Sequence, residues 1–159
     1  MPLRIGAALP SFEGATEWLT DSAEAVERAK GQPTLVHFWA VSCGTCKDNL
    51  PKLAEWRAQY QNKGLHIIAV HMPRYPADTD LAAVQEAIRE YQISDPCAVD
   101  NEHKLRDAFQ NEQGFVPAYY LFNAEGQLKS HAAGQYGLQI VKSALERMFP
   151  PESAKEVSE

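Results

Sequence analysis

The stretch Thr34-Leu-Val-His-Phe-Trp-Ala40 runs through Val41-Ser42 into a dithiol, Cys43-Gly44-Thr45-Cys46. The first seven residues are mostly apolar, β-branched or aromatic, which is typical of a buried strand. After the dithiol the spacing becomes helical over about 44–62, with an internal proline, Pro51, and one stripe of larger side chains: Leu50, Leu53, Arg57 and Tyr60. The sequence therefore predicts a strand that leads directly into a helix beginning at the dithiol.

This placement determines the chemistry expected of the two cysteines. Unpaired N–H groups and the positive end of the dipole at a helix start favour thiolate over thiol at Cys43. Cys46 lies one turn later on the same face, where Cβ atoms are roughly 5–6 Å apart, close enough for a disulfide. The pair can cycle between dithiol and disulfide, so the pattern predicts thiol–disulfide exchange.

Composition excludes several other classes of protein. The 159 residues are 45% hydrophobic with a net charge of -6, which suits one globular domain and disfavours a nucleic-acid surface. No run approaches the roughly 20 apolar residues of a membrane helix. Residues 1–10 are too short in apolar length and too broken by proline to predict a secretory signal. We expect a cytoplasmic monomer without a cofactor, or an extracytoplasmic protein if an N-terminal anchor precedes this chain.

Three cysteines are too few for a disulfide scaffold. A zinc site would need two further ligands, and no second CxxC or paired-histidine motif supplies them, so no metal is expected. A peroxiredoxin motif at Cys43 would need threonine or serine at position 40 and proline at 36, where the chain has Ala40 and Val36. Cys97 is interpreted as a buried small hydrophobe, with a regulatory or resolving thiol as the alternative.

The rest of the chain alternates between strand and helix patterns. Strands are predicted at 65–70, 96–99, 118–122 and 127–131, and helices at 81–91, 103–109 and 138–148. Asn123-Ala-Glu-Gly126 between two of the strands is a hairpin signature. We predict an α/β fold, a mixed sheet with helices on both faces, as one domain over 1–149 followed by a disordered tail over 150–159.

Motifs in this order resemble the thioredoxin superfamily. They are His37-Phe-Trp-Ala-Val-Ser-Cys-Gly-Thr-Cys-Lys47 and Gly114-Phe-Val-Pro-Ala-Tyr-Tyr-Leu-Phe122. An added N-terminal segment, Ile5–Pro10, and a helical insert over 72–99 make the chain similar to the TlpA/ResA-like branch. Within that branch the motifs are most similar to the YkuV-type thiol–disulfide oxidoreductases. The resemblance implies a thioredoxin-like fold.

The resemblance also implies roles for individual residues. Cys43 would be the exposed nucleophile and Cys46 the partly buried resolving thiol. Pro117 would be cis, with the Val116 backbone pairing to an extended substrate segment. Trp39 is interpreted as a core aromatic that its place four residues before Cys43 puts near the disulfide, and it is also a candidate substrate contact.

Three positions depart from the family pattern. His37 replaces a buried aspartate of thioredoxin, Asn49 replaces a glutamate of ResA-like proteins, and Ser42 replaces the usual tryptophan. His37 is either a satisfied core residue or a group that tunes Cys46 by accepting its proton. Gly44 and Thr45, between the cysteines, are the other candidates for redox tuning.

The predicted function is reduction of disulfides in client proteins in the cytosol. No GxGxxG fingerprint is present, so an external dithiol donor must supply the electrons. One alternative is an extracytoplasmic reductase for apocytochrome c or envelope proteins. Another is a redox-inactive peptide-binding module. The loop Met72–Pro76 is a candidate rim of the substrate groove or a plain surface loop.

Overall fold

A six-stranded sheet organises residues 3–150, the part of the chain that the computed structural model describes. In space the strands follow the order β1-β4-β3-β2-β5-β6. Strands β2, β3 and β4 are parallel to one another, while β1, β5 and β6 run antiparallel to their neighbours. The strands are β1 (Glu17–Leu19), β2 (Thr34–Trp39), β3 (His66–His71), β4 (Cys97–Val99), β5 (Ala118–Phe122) and β6 (Leu128–Ala133). The mixed thioredoxin-like sheet predicted from the sequence is confirmed.

Residues 3–150 contain five α-helices, four between successive strands and the fifth after β6: α1 (Glu24–Ala29), α2 (Gly44–Tyr60), α3 (Leu81–Glu90), α4 (Lys104–Ala108) and α5 (Gly137–Met148). The predicted helix over 44–62 is an α-helix to Tyr60 that continues as a 3₁₀ turn, Gln61–Lys63. Sequence patterns missed β1 and α1, since three and six residues are too short to show a periodicity.

The apolar faces of β2 explain why helices cover both sides of the sheet. All six residues of β2 are buried, as expected of a strand with a helix layer on each face. Leu35 and Trp39 belong to one apolar cluster with residues of α2, α3 and α5. Val36 and Phe38 belong to the other, with residues of α1, α4 and the N-terminal segment. The strand that leads to the dithiol is therefore fixed at the centre of the protein.

The N-terminal segment pairs with the hairpin formed by β5 and β6. The Gly6 amide donates to the Leu128 carbonyl at 2.8 Å, and the Leu128 amide donates back to Ala7 at 2.8 Å. In the hairpin loop, the Asn123 side-chain oxygen accepts the amide N–H groups of Glu125 and Gln127. The predicted added segment thus extends this edge of the sheet.

Two sequence predictions concern the ends of the chain. The single domain over 1–149 and the disordered tail over 150–159 stay predictions, and residues 1–2 and 151–159 lie outside the described residues. No helix within 3–150 has the length and apolar character needed to cross a membrane.

Candidate functional site

The dithiol lies at the junction between β2 and α2, as predicted. β2 ends at Trp39, and the Cys43 amide donates to the Ala40 carbonyl at 2.9 Å, which closes a turn. Cys43 has an extended backbone and is the N-cap residue of α2; its Sγ accepts the Cys46 amide at 3.0 Å. An amide at a helix start, one of those without a helical partner, therefore points at the Cys43 sulfur, which favours negative charge there.

Cys43 and Cys46 form a disulfide with a Cα–Cα distance of 5.3 Å. Cys43 is 3% exposed and Cys46 is 2% exposed. The expectation of an exposed Cys43 is therefore wrong for this disulfide form, because its sulfur is bonded to Cys46 and packs in the apolar cluster shared with α2. Gly44 and Thr45 form the first turn of α2, and a side chain added at Gly44 would meet no atom within 4 Å.

The Val116–Pro117 peptide bond is cis, which confirms the prediction for Pro117. Val116 packs against both apolar clusters, one of which contains the two cysteines. The pairing of β5 with β2 begins at Ala118, opposite Phe38, so Val116 lies just outside the strand ladder.

Trp39, predicted to contact substrate, is only 1% exposed. Its ring packs edge-on against the His71 imidazole with 4.8 Å between centroids, in the same apolar cluster as the dithiol. The side chain offers no surface to a client in this structure. It lies instead in the packing beneath the motif.

Cys97 is the free cysteine of the described residues and is completely buried in β4. Burial raises the pKa of its thiol to about 12, despite the nearby indole N–H of Trp39. A thiol of this kind stays protonated and unreactive at neutral pH, as the interpretation of a buried hydrophobe requires.

His37 is buried on the face of the sheet covered by α2. Burial lowers the pKa of its imidazole to about 4, with Asp95 opposing the shift, so the ring is neutral at pH 7. Its Nε2 is 4.0 Å from Asp95 Oδ2 and has no hydrogen-bond partner within residues 3–150. Arg57 of α2 holds Asp95 through two hydrogen bonds of 2.7 Å. Sequence reasoning missed both Asp95 and Arg57 as neighbours of this histidine.

Asn49, one helical turn after Cys46, connects α2 to β5. Its side-chain amide donates to the Tyr119 hydroxyl at 2.8 Å, and burial raises the pKa of that phenol to about 12. Tyr119 lies two residues after Pro117, so this bond joins the helix that holds the dithiol to the strand that follows the cis-proline.

The Ser42 cluster, formed by Ser42, Arg74 and Asp78, joins the residue before Cys43 to the candidate rim loop Met72–Pro76; sequence reasoning missed Asp78 and these contacts. The Ser42 hydroxyl donates to Asp78 at 2.8 Å, and Arg74 Nη2 donates to the Ser42 carbonyl at 2.7 Å. Next to it, the His71 Nε2 accepts the Val41 amide at 3.1 Å; burial lowers the pKa of this imidazole to about 4, which keeps it an acceptor. The loop before Cys43 is thus hydrogen-bonded to His71 in β3 and to Arg74 and Asp78 in the segment that follows β3.

Metal ligands are not gathered anywhere in the described part of the chain: no three histidine, cysteine, aspartate or glutamate side chains converge within 3–150.

Comparison with known proteins agrees with this geometry. The sequence model of the AhpC/TSA family matches residues 5–131. The thiol-disulfide oxidoreductase YkuV of Bacillus subtilis is 37% identical over 147 residues, which cover 92% of this chain and 97% of that protein. The thiol-disulfide oxidoreductase ResA of Oceanobacillus iheyensis is 25% identical over 152 residues, which cover 94% of this chain and 76% of that protein. The solution structure of a thioredoxin-like protein in its oxidised form, 37% identical, superposes with a TM-score of 0.81 and covers 92% of this chain and 97% of that one.

Proposed function

This chain belongs to the AhpC/TSA family and is a thiol–disulfide oxidoreductase of thioredoxin-like fold, and on that premise we propose that it reduces client-protein disulfides in the cytosol. The observation that carries the proposal is the disulfide between Cys43 and Cys46, closed within the first turn of α2. A pair in this position can accept and release two electrons without a cofactor.

The reaction has two exchange steps. In the reduced protein, the Cys43 thiolate attacks one sulfur of a client disulfide, forms a mixed disulfide and releases the other client sulfur as a thiolate, which takes up a proton. The Cys46 thiolate then attacks the Cys43 sulfur, which closes the protein disulfide and releases the second client thiol. The client gains two electrons and two protons, and an external dithiol donor returns the protein to its reduced form.

The substrate segment would pair with the backbone of Val116. This residue lies outside the β5 ladder and packs on the cluster that contains the cysteines, so an extended peptide aligned on it would bring its disulfide toward Cys43. Pro117, the next residue, has no backbone N–H group, so it offers no second donor that would compete for the carbonyl groups of the substrate.

His37 would serve the second step by accepting the Cys46 proton, directly or through water. The support is its burial beneath α2, its neutral state and its unpaired Nε2. Asp95 is 4.0 Å away, a position from which its carboxylate would stabilise the imidazolium that forms. A cavity of about 400 Å³ borders Asp95 and Arg57, the neighbours of this histidine. Replacing His37 with asparagine should slow resolution of the mixed disulfide while the first attack by Cys43 keeps its rate.

Gly44 and Thr45 would set the balance between dithiol and disulfide, because they control the backbone between the two sulfurs. Exchanging this dipeptide should shift the equilibrium potential of the pair. Measuring that potential against glutathione also tests the direction of the reaction. A value near -270 mV, roughly that of thioredoxin, supports reduction, whereas one near -120 mV would make the protein an oxidant.

Insulin reduction with a dithiol donor tests the proposed activity. Wild-type protein should precipitate insulin chains, a Cys43→Ser variant should not, and Cys46→Ser should accumulate a mixed disulfide through Cys43. Cys97→Ala is the matched control and should act like wild type. A fully active Cys43→Ser variant, or a wild type that binds insulin without reducing it, would favour the redox-inactive peptide-binding module.

The extracytoplasmic alternative uses the same chemistry in another compartment. Cell fractionation of the native source with an antibody to this protein distinguishes the two. Recovery in the envelope fraction would overturn the cytosolic part of the proposal and leave the exchange chemistry standing.

A further inference from the structure

The Ser42 cluster brings an exposed guanidinium close to the nucleophile. Arg74 Nη2 donates to the Ser42 carbonyl at 2.7 Å, and Arg74 Nε donates to the Ser42 hydroxyl at 3.2 Å. Five covalent bonds join that carbonyl oxygen to the Cys43 sulfur. Standard bond lengths therefore keep the donating nitrogen within about 9 Å of the sulfur.

The position of this cation is fixed by its surroundings. Asp78, 3% exposed, accepts the Arg74 amide at 2.9 Å and the Tyr75 amide at 3.3 Å, in addition to the Ser42 hydroxyl. The Tyr75 ring lies 5.3 Å from the guanidinium carbon. A side chain held in this way loses little further conformational freedom when it binds a partner.

The charge of Arg74 is available to an incoming molecule. A guanidinium has five N–H groups, and the bonds to Ser42 use two of them. No carboxylate of the described residues forms a salt bridge with this guanidinium. The nearby Asp78 carboxylate accepts the backbone amide of Arg74 instead. Arg74 and its neighbour Tyr75 are both exposed.

We propose that Arg74 determines specificity, favouring clients that carry a carboxylate next to the disulfide attacked by Cys43. The chain as a whole carries a net charge of -6 and repels acidic clients. That repulsion is screened by salt beyond about 8 Å, whereas a carboxylate close to Arg74 can form a paired, charge-assisted hydrogen bond. The residue thus reverses, at the point of reaction, the charge preference of the rest of the surface.

Coulomb's law gives the size of the effect. As an outer limit, a client carboxylate at the position of the Cys43 sulfur lies about 9 Å from Arg74. Without screening by salt, the attraction at that distance corresponds to about twofold in rate at the dielectric constant of water and about twentyfold at that of a protein surface. We expect about fivefold.

The test compares small disulfides that differ in charge. The reduced full-length chain is mixed with dithiobis(nitrobenzoate), a dianion, and with dithiodipyridine, which is neutral, and the rate of the first exchange is followed by stopped-flow absorbance. In Arg74→Gln the ratio of anionic to neutral rates should fall about fivefold. Arg74→Lys should keep most of the ratio, since it keeps the charge. Added salt should lower the ratio in wild type, because it screens the attraction to Arg74. In Arg74→Gln it should not lower the ratio, because only the repulsion by the net charge of -6 is left to be screened.

Arg89→Gln is the matched control, because Arg89 is an exposed arginine of α3 that pairs with Glu86. It should leave the ratio at the wild-type value. Equal slowing of both reagents in Arg74→Gln, or an equal loss of the ratio in Arg74→Lys and Arg74→Gln, would overturn the proposal and reduce Arg74 to a support of the loop. The assay reads only the first attack by Cys43, so it is independent of the client, direction and compartment proposed above.

Discussion

Replacing His37 with asparagine should remove a large part of the sensitivity of folding to acid. Burial lowers the pKa of this imidazole from 6.5 to about 4 in the folded protein. The unfolded chain therefore takes up the proton at a higher pH than the folded chain. The contribution of neutral His37 to the free energy of unfolding is fully present above about pH 6.5 and is lost as the pH falls toward 4.

The structure gives the magnitude of this loss. At about 1.36 kcal/mol per pKa unit, the shift from 6.5 to about 4 is worth about 3 kcal/mol in full. At pH 4.5 about 2.5 kcal/mol of this has been lost, and at pH 7.5 almost none. His37 is 1% exposed, so solvent does not screen the effect. Domains of this size are stable by only about 5–15 kcal/mol, so the change is large.

Urea unfolding at pH 7.5 and pH 4.5 measures the loss of stability that is due to His37. The free energy of unfolding should fall between the two pH values by about 2.5 kcal/mol more in wild type than in His37→Asn. His131→Asn, at an exposed position of β6, is the control and should retain the wild-type difference. Comparing the same protein at two pH values removes any packing energy lost by the substitution itself.

The variant should keep a second set of acid-sensitive groups. His71 has a pKa lowered by burial to about 4, and hydrogen bonds to Asp78 outweigh burial and lower the pKa of that carboxyl. Both shifts favour unfolding at low pH. Equal losses of stability in wild type and His37→Asn between the two pH values would refute the assignment of a buried neutral His37.

Three further outcomes are expected. Iodoacetamide at mildly acidic pH should label Cys43 first in the reduced protein and leave Cys97 unlabelled, by peptide mapping, because Cys97 is fully buried with a pKa of about 12. Trp39→Phe should abolish most of the fluorescence change on oxidation, since the disulfide quenches the nearby indole. Asn49→Ala should lower the free energy of unfolding by about 1–3 kcal/mol, measured in urea, because the buried Tyr119 hydroxyl loses its donor; full additivity with Tyr119→Phe would contradict a direct bond.

The sequence was sufficient for features that depend on neighbouring residues. A buried strand, a helix start and two cysteines three residues apart are local patterns, and they placed the disulfide correctly. The cis bond before Pro117 came from resemblance, since nothing in the local composition requires it.

Contacts between distant segments could not be predicted in this way. His37 and Asp95 lie 58 residues apart in the chain, and Ser42 and Asp78 lie 36 apart. Only the register of β2 with β3 and the course of the insert bring them together. The same holds for the burial of Cys43, which depends on packing around the loop and not on its position at a helix start.

The N-terminal pairing with the hairpin also bears on self-association. β6 is the last strand of the sheet, and the outer strand at the opposite edge, β1, has only three residues. Exposed strand edges recruit further chains into aggregates, and a three-residue strand is too short to do so efficiently. The amide and carbonyl of Leu128, the first residue of β6, and the carbonyl of Gly126 in the hairpin loop are hydrogen-bonded to residues 6–9. The segment ahead of the sheet thus covers the hairpin end of its longer open edge, and a chain without it would expose that end to pairing with other chains while its dithiol stayed intact.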